Sequence, residues 1–182
     1  MPITLTQMQT LVKELNRFVL NQKIEGIEEL SPGTFILALF SARVLISLKD
    51  PFLRFHLSQR KGGISSSSFL RKLKENIVEK TLIKVEILNE DRILELSFIA
   101  KNKEKQTLVI EFFPRRPNAF LLNNNREIID TFHPVEATHY TLPPKPLPPH
   151  HLQEPLTIDY YSNGCYMVAH RMRQRQYQVV AY

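Results

Sequence analysis

The sequence predicts an α+β fold, built as a β-sandwich with flanking helices. Apolar residues recur every three or four positions from Leu5 to Val19, and then about every second position from Lys23 to Thr131. The chain has 182 residues, is 43% hydrophobic and contains 11 Phe, which is enough to build one sizeable core. One ordinary domain with a tail is therefore the expected organisation.

An amphipathic helix opens the chain, because charged and amide side chains fill the positions between the apolar ones. After Gln22 the period shortens to two, which is typical of strands with one buried face. Ser31-Pro32-Gly33 has the composition of a turn between the first two strands. We expect an antiparallel meander of four strands, over Lys23–Leu30, Thr34–Phe40, Arg43–Lys49 and Phe52–Leu57.

A flexible loop, Lys61-Gly62-Gly63, leads into a short basic helix over Phe69–Asn76, for which Ser68 is the predicted N-cap. The positive side of this helix is formed by Arg71, Lys72 and Lys74. Longer strands are predicted over Val78–Leu88, Arg92–Ala100, Gln106–Phe113, Asn118–Leu122 and Glu127–Thr131. The phenylalanines expected in the core are Phe52, Phe55 and Phe69.

The composition changes after Phe132, since seven of the 12 prolines lie between Pro134 and Pro155. We expect residues 1–133 to form the domain and residues 134–155 to form an extended proline-rich strap or linker. Residues 156–182 are a basic tail with no clear apolar period, so their structure stays open.

Charge and composition narrow the function. The single cysteine, Cys165, cannot form an internal disulfide, and the longest apolar run is six residues, too short to span a bilayer. Nothing near Met1 resembles a secretory signal, so we expect a cytoplasmic protein with no membrane partner. Lys and Arg outnumber Asp and Glu by 24 to 18, which gives a net charge of +6 and favours a polyanionic partner such as nucleic acid.

Catalytic motifs are not found. None of the six histidines has the Ser/Asp or Cys neighbours of a triad or a metal site. The five glycines form no phosphate-binding loop. We therefore expect no enzyme activity, no cofactor and no metal.

Three strings occur in an order that resembles one known family. They are Glu90-Asp91-Arg92-Ile93, Glu111-Phe112-Phe113-Pro114-Arg115-Arg116-Pro117-Asn118 and Tyr140-Thr141-Leu142-Pro143-Pro144. From about Leu5 to Pro149 the chain resembles the N-terminal domain of the NFACT family. These are ribosome quality-control factors that are also described in bacteria as fibronectin-binding protein A-like.

The resemblance implies a fold similar to the N-terminal domain of formamidopyrimidine-type DNA glycosylases. It also implies binding of tRNA and of a large ribosomal subunit that holds a stalled nascent chain, in support of untemplated C-terminal tailing of that chain. The Asp-Arg pair implicated in this activity corresponds to Asp91 and Arg92. Thr4 stands where the family usually has an Asp near the start of its first helix.

The coiled-coil and RNA-binding domains that normally follow are missing from this chain. We therefore expect a fragment, a split gene product or a degenerate remnant, with a separate chain as a possible supplier of those domains. Two other functions stay open. One is a fibronectin-binding surface adhesin, and the other is a non-catalytic DNA-binding domain of glycosylase-like fold.

Asp91 and Arg92 are the first candidate RNA-binding residues. Arg92 shares its parity with Leu94, Leu96 and Phe98, so a regular strand would direct its guanidinium towards the buried side. There the guanidinium must be paired or must emerge at an edge. A guanidinium held by a carboxylate suits phosphate or base-edge contact, and the alternative is an ordinary surface ion pair.

Two further groups are candidates. Arg115, Arg116 and Asn118 lie on a turn that two prolines make rigid. The alternative is that Arg115 pairs with Glu111 and that Asn118 bonds to the turn backbone. The last group is the basic helix side, together with the lysine-rich turn Lys101–Lys105, and the alternative for it is a solvated surface.

Overall fold

A computed structural model describes residues 3–64 and 67–145, and the backbone of residues 167–171 and 177–181. The chain divides into two compact units, Met1–Lys145 and Pro146–Tyr182. The first unit is mostly β, with two antiparallel sheets and two helices. The elements from α1 to the end of the first sheet are α1 (Leu5–Phe18), β1 (Ile24–Ser31), β2 (Thr34–Leu39), β3 (Arg43–Ser47) and β4 (Arg54–Leu57).

The second half of this unit contains a helix and a five-stranded sheet. Its elements are α2 (Ser68–Ile77), β5 (Thr81–Leu88), β6 (Ile93–Ile99), β7 (Lys105–Glu111), β8 (Asn118–Leu122) and β9 (Ile128–Thr131). In both sheets the strands lie in sequence order, β1-β2-β3-β4 and β5-β6-β7-β8-β9. The predicted meander is therefore confirmed and extends to the second sheet.

Several predicted boundaries differ from the structure by one to three residues, and three of these differences have a clear local reason. The N-cap of α2 is Ser67, whose Oγ accepts the Leu70 N–H, and not Ser68. The strand expected from Val78 begins later, because Glu79 has a left-handed φ of 71° and turns the chain. The strand expected from Phe52 also begins later, because the Phe52 N–H bonds to the Lys49 oxygen at 2.7 Å and closes a turn.

One apolar core joins both sheets and both helices. The rings of Phe55 and Phe112 meet between the sheets, with their centroids 5.5 Å apart. Helix α1 packs against β4 and β5, and α2 packs against β1 and β9. Phe55 and Phe69 are buried as predicted, but Phe52 is 54% exposed.

The turns lie at two opposite ends of this unit. The Asp91 end comprises the β1–β2, β3–β4, β5–β6 and β7–β8 turns. There the Arg115 N–H donates to Asp50 Oδ2 at 3.2 Å and joins the two sheets. The Phe40 end comprises the β2–β3 and β6–β7 turns, and there a bridge between Lys23 and Thr81 joins the sheets.

The loop between β4 and α2 is tied to the first sheet, where a flexible loop was expected. Gly63 and Glu29 exchange two main-chain hydrogen bonds of 2.9 and 3.0 Å. The Glu28 carboxylate accepts from the Gly62 N–H at 2.7 Å and from Arg43 Nη1 at 2.6 Å. A Cβ on Gly62 would lie 2.6 Å from the Glu29 carbonyl oxygen, so only glycine fits this approach.

Glu28→Gln is expected to lower the free energy of unfolding by about 1 to 2 kcal/mol, because it removes charge-assisted hydrogen bonds from a side chain that is only 24% exposed. Burial alone would raise the Glu28 pKa, but the bonds from Arg43 and Gly62 and the charges of Arg43 and Lys61 lower that pKa overall. This stabilisation is therefore present above the ordinary glutamate pKa and is lost as the pH falls through the lowered one.

Urea unfolding of wild type and variant at neutral and acidic pH measures this effect. The difference in the free energy of unfolding between wild type and Glu28→Gln should be smaller at acidic pH. Glu25→Gln, on the exposed side of the same strand, is the control and should change little. An equal loss of unfolding free energy in Glu28→Gln and Glu25→Gln would contradict the stabilising role assigned to Glu28.

Residues 134–145 continue the first unit beyond the predicted domain end at residue 133. These residues contain no helix or strand, and the Glu127–His139 pairing is an isolated bridge. Residues 146–155 of the predicted strap lie outside the described residues. In the second unit, β10 (Met167–Arg171) and β11 (Tyr177–Ala181) pair as an antiparallel hairpin.

Candidate nucleic-acid interface

The β5–β6 turn presents Asp91 and Arg92 at the Asp91 end. Asn89 and Glu90 have left-handed φ values of 59° and 50°, and the Asp91 N–H bonds back to the Leu88 oxygen at 3.1 Å. Asp91 Oδ1 accepts the main-chain N–H of Arg92 at 2.7 Å, whereas the Arg92 Nε lies 4.0 Å away. The carboxylate therefore fixes the backbone of Arg92 more directly than it holds the guanidinium.

Arg92 and Arg116 are brought together on one aromatic ring. Strand β6 begins at Ile93, so Arg92 lies in the turn, and its side chain, 32% exposed, extends from the end of an interior strand. Its guanidinium carbon lies 5.8 Å from the ring centroid of Phe113, and that of Arg116 lies 5.9 Å from the same centroid. Cations at this distance are attracted to an aromatic ring, and we call Arg92 and Arg116 on Phe113 the two-arginine site.

The β7–β8 turn supplies the second cation. Arg115 has a left-handed φ of 69° and its N–H donates to Asp50. The Arg116 N–H bonds to the Phe113 oxygen at 3.2 Å. The side chains of Arg115 and Arg116 are exposed, so this turn presents positive charge to the solvent.

Glu111 contacts Tyr140 rather than Arg115, the partner considered from the sequence. The Tyr140 hydroxyl donates to Glu111 Oε1 at 3.0 Å, and its ring packs on Phe120 with centroids 4.9 Å apart. Burial raises the pKa of Glu111; the Tyr140 bond and the Arg116 charge lower that pKa in part, and the net shift is upward. Burial and the neighbouring Glu111 carboxylate raise the pKa of Tyr140 as well, so its phenol stays a donor.

Asn118 lies beside these groups, but its amide is engaged with the main chain. Its Nδ2 donates to the His133 oxygen at 3.0 Å, and its Oδ1 accepts the His133 N–H at 2.8 Å. Asn118 is buried. The Asn118 amide therefore bonds to the main chain of His133 and not to the turn backbone considered from the sequence.

The basic side of α2 lies apart from the two-arginine site. Arg71, Lys72 and Lys74 are exposed, and α2 buries the opposite face of the helix. Lys72 Nζ lies 3.5 Å from Glu75. The helix begins near Phe132, whose ring contacts Phe69 with centroids 6.0 Å apart, and no described contact joins its three basic side chains to Arg92 or Arg116.

The lysine-rich turn Lys101–Lys105 lies at the other end of the first unit. It joins β6 to β7 at the Phe40 end, a strand length of about 23 Å from Arg92 at 3.3 Å per residue. The lysine-rich turn and the Arg92 side chain therefore lie at opposite ends of the first unit.

Thr4 caps α1 in the position where an Asp was expected. Its Oγ1 accepts the Gln7 N–H at 3.2 Å, and Gln7 Oε1 accepts the Thr4 N–H at 2.9 Å, which is a capping box. Threonine replaces the capping function of aspartate without its charge.

Phe113, Glu111 and Tyr140 were not selected from the sequence as site residues. Phe113 and Glu111 share the parity of Val109 on the outer face of the second sheet, which is the signal that would have indicated Phe113. Among the described residues, no group of three or more His, Cys, Asp or Glu could hold a metal ion. No helix in the described part of the chain is long and apolar enough to cross a membrane.

Two packed antiparallel sheets and two helices define a mostly β domain. The chain belongs to the family of NFACT N-terminal and middle domains, whose model matches residues 4–163. Ribosome quality-control factors and fibronectin-binding proteins share this domain, and the family is generally non-catalytic. No curated protein matches the chain.

Three solved structures share the fold. The N-terminal domain of fibronectin-binding protein PavA from Streptococcus pneumoniae has a TM-score of 0.71 and 21% identity, over 82% of this chain and 65% of that one. The N-terminal part of the fibronectin/fibrinogen-binding protein of Streptococcus suis has a TM-score of 0.69 and 20% identity, over 76% of this chain and 60% of that one. The fibrinogen-binding protein of Staphylococcus aureus has a TM-score of 0.65 and 18% identity, over 75% of this chain and 54% of that one. The chain spans less than two-thirds of each of them.

Proposed function

We propose that this chain is an RNA-associated domain of ribosome quality control. It binds tRNA and the large ribosomal subunit in the cytoplasm and supports C-terminal tailing of stalled nascent chains without being an enzyme itself. The observation that carries this proposal is the pair of guanidiniums of Arg92 and Arg116 on the Phe113 ring. Planar donors of this kind suit phosphate and base edges.

Other residues supply the rest of the proposed RNA-binding surface. Arg115 is exposed on the adjacent turn. The exposed basic residues of α2 offer a separate positive surface to phosphates. Asn118 contributes by fixing the strand beneath the two-arginine site, through its bonds to His133.

A second candidate function is adhesion to fibronectin. It is favoured by the similarity to PavA, whose fold this chain shares at a TM-score of 0.71. Surface plasmon resonance on immobilised fibronectin and on immobilised tRNA compares the two functions directly. Binding to fibronectin without binding to tRNA would overturn the proposal.

Lys72→Ala with Lys74→Ala should weaken tRNA binding for all sequences and flatten the logarithmic salt dependence by about one to two units. The reason is that both side chains are exposed on α2, and the exposed Lys72–Glu75 ion pair, at 3.5 Å, contributes about 1 kcal/mol or less. Filter binding between about 50 and 200 mM salt measures the slope, with duplex DNA of equal charge as competitor.

The matched control replaces the same two residues by arginine, which keeps the charge, and should retain the wild-type slope. An unchanged slope in the alanine variant would remove α2 from the interface. Equal competition by duplex DNA would favour the DNA-binding alternative of glycosylase-like fold.

A further inference from the structure

Two phenylalanines are exposed at the Phe40 end, away from the two-arginine site. Phe40 follows β2 and is 80% exposed, and Phe18 ends α1 and is 48% exposed. The guanidinium carbon of Arg17 lies 5.4 Å from the ring centroid of Phe18. Exposed aromatic rings beside cations are the elements of a surface on which nucleobases stack.

The turn that bears Phe40 is held in place by Gln22. Gln22 Oε1 accepts the Ser41 N–H at 3.0 Å, and its Nε2 donates to Ser41 Oγ at 2.7 Å and to the Phe18 oxygen at 2.6 Å. One amide therefore ties the β2–β3 turn to the end of α1. The backbones that carry both rings are fixed before any ligand binds, which lowers the entropy cost of binding.

A cavity of about 330 Å³ opens beside these residues. Phe18, Ala42 and Leu57 contribute apolar surface to it, and Ser41, Ser58 and Gln59 contribute hydroxyl and amide groups. A nucleobase needs this combination, since its faces are apolar and its edges carry hydrogen-bond donors and acceptors.

Lysines surround this end. Lys105 of β7, Ile99 of β6, Thr81 of β5 and Lys23 are successive cross-strand neighbours, which places the two lysine backbones about 14 Å apart at 4.8 Å per strand. Lys101 and Lys103 extend from the same β6–β7 turn and are exposed. Lys23 is paired with Glu79, so the turn lysines are the ones most available to a phosphate backbone.

The exposed apolar area is too small for a stable protein partner. Two Phe side chains at these exposures offer on the order of 250 Å², against about 800 Å² per partner in a standard protein interface. Stacking of one or two bases needs no more area than this. We propose that the Phe40 end binds single-stranded RNA, with bases stacked on Phe40 and Phe18 and phosphates near the turn lysines.

This second RNA site is independent of the two-arginine site, because β6 separates the two ends by its length. It lets one domain hold a single-stranded segment while Arg92 and Arg116 contact another RNA surface. A variant that loses one site should therefore retain the other.

The chain contains no Trp, so Phe40→Trp creates a single fluorescent reporter at the site. Titration of this full-length variant with a short oligouridylate should quench the Trp emission, because stacking brings the base onto the indole ring. In fluorescence anisotropy with a labelled oligouridylate, Phe40→Ala should lose about 5-fold to 150-fold in affinity, the equivalent of one stacked base. A duplex RNA of equal length should bind more weakly and should not respond to Phe40→Ala.

Phe52, exposed at the Asp91 end, supplies the matched control. Phe52→Ala should retain oligouridylate affinity, and Phe52→Trp should show no quenching. Quenching in both Trp variants, or full affinity in Phe40→Ala, would overturn the proposal. Full affinity in Phe40→Leu would do the same, since it would indicate plain apolar contact rather than stacking. Loss of oligouridylate affinity in Phe40→Ala but not in Phe52→Ala tests this site whether or not Arg92 and Arg116 bind tRNA.

Discussion

Phe112→Ala is expected to lower the free energy of unfolding by about 3 to 5 kcal/mol. The Phe112 ring is fully buried and meets Phe55 between the two sheets. Its N–H also bonds to the Arg92 oxygen at 2.8 Å, so the same residue supports the turn that bears the site. Removing the ring leaves a cavity where the sheets meet, and small domains have only about 5 to 15 kcal/mol to lose.

Urea denaturation of the full chain, followed by circular dichroism, measures this loss. Phe112→Leu retains most of the volume and should lose less, which keeps the test informative if Phe112→Ala does not fold. Phe52→Ala is the surface control and should stay within about 0.5 kcal/mol of wild type. If Phe112→Ala changed the free energy of unfolding as little as Phe52→Ala, a core shared by the two sheets would be contradicted.

Strand positions were predictable because they depend on local alternation. Leu108 and Ile110 alternate with outward-facing neighbours, and the register of β6 with β7 follows from that pattern. The exposure of Phe52 was not predictable in this way. It depends on the turn that the Phe52 N–H closes by bonding to the Lys49 oxygen. The local sequence, a phenylalanine after a proline, is the same whether its ring is buried or exposed.

The candidate site was predictable only in part. Asp91, Arg92 and Arg116 were selected from short strings, but their geometry depends on residues about twenty positions apart. Arg92 meets Phe113 because Ile93 pairs with Glu111 across two strands. Tyr140 reaches Glu111 from the proline-rich segment, whose path over the outer face of the second sheet has no periodic signal in the sequence.

Arg92→Ala should weaken tRNA binding by about 1 to 3 kcal/mol, the value of a good bidentate contact. It should cost the fold about 1 kcal/mol or less, because the side chain is partly exposed and its ion pair with Asp91 is long, at 4.0 Å. Arg54→Ala removes the same charge from an exposed position on β4 and is the control for net charge. Equal losses of affinity in both variants would leave only a general basic surface.

Variants of Asp91 test whether its carboxylate positions Arg92 for RNA binding. Simple electrostatics predicts that removing an acid strengthens RNA binding. The geometry predicts the opposite for Asp91→Ala, because Asp91 Oδ1 holds the Arg92 N–H at 2.7 Å and alanine cannot accept that bond. Asp91→Asn keeps an acceptor oxygen and should lose less affinity than Asp91→Ala, although both variants carry the same net charge. Fluorescence titration with labelled tRNA measures all three proteins, and tighter binding by both variants than by wild type would exclude Asp91 from the site.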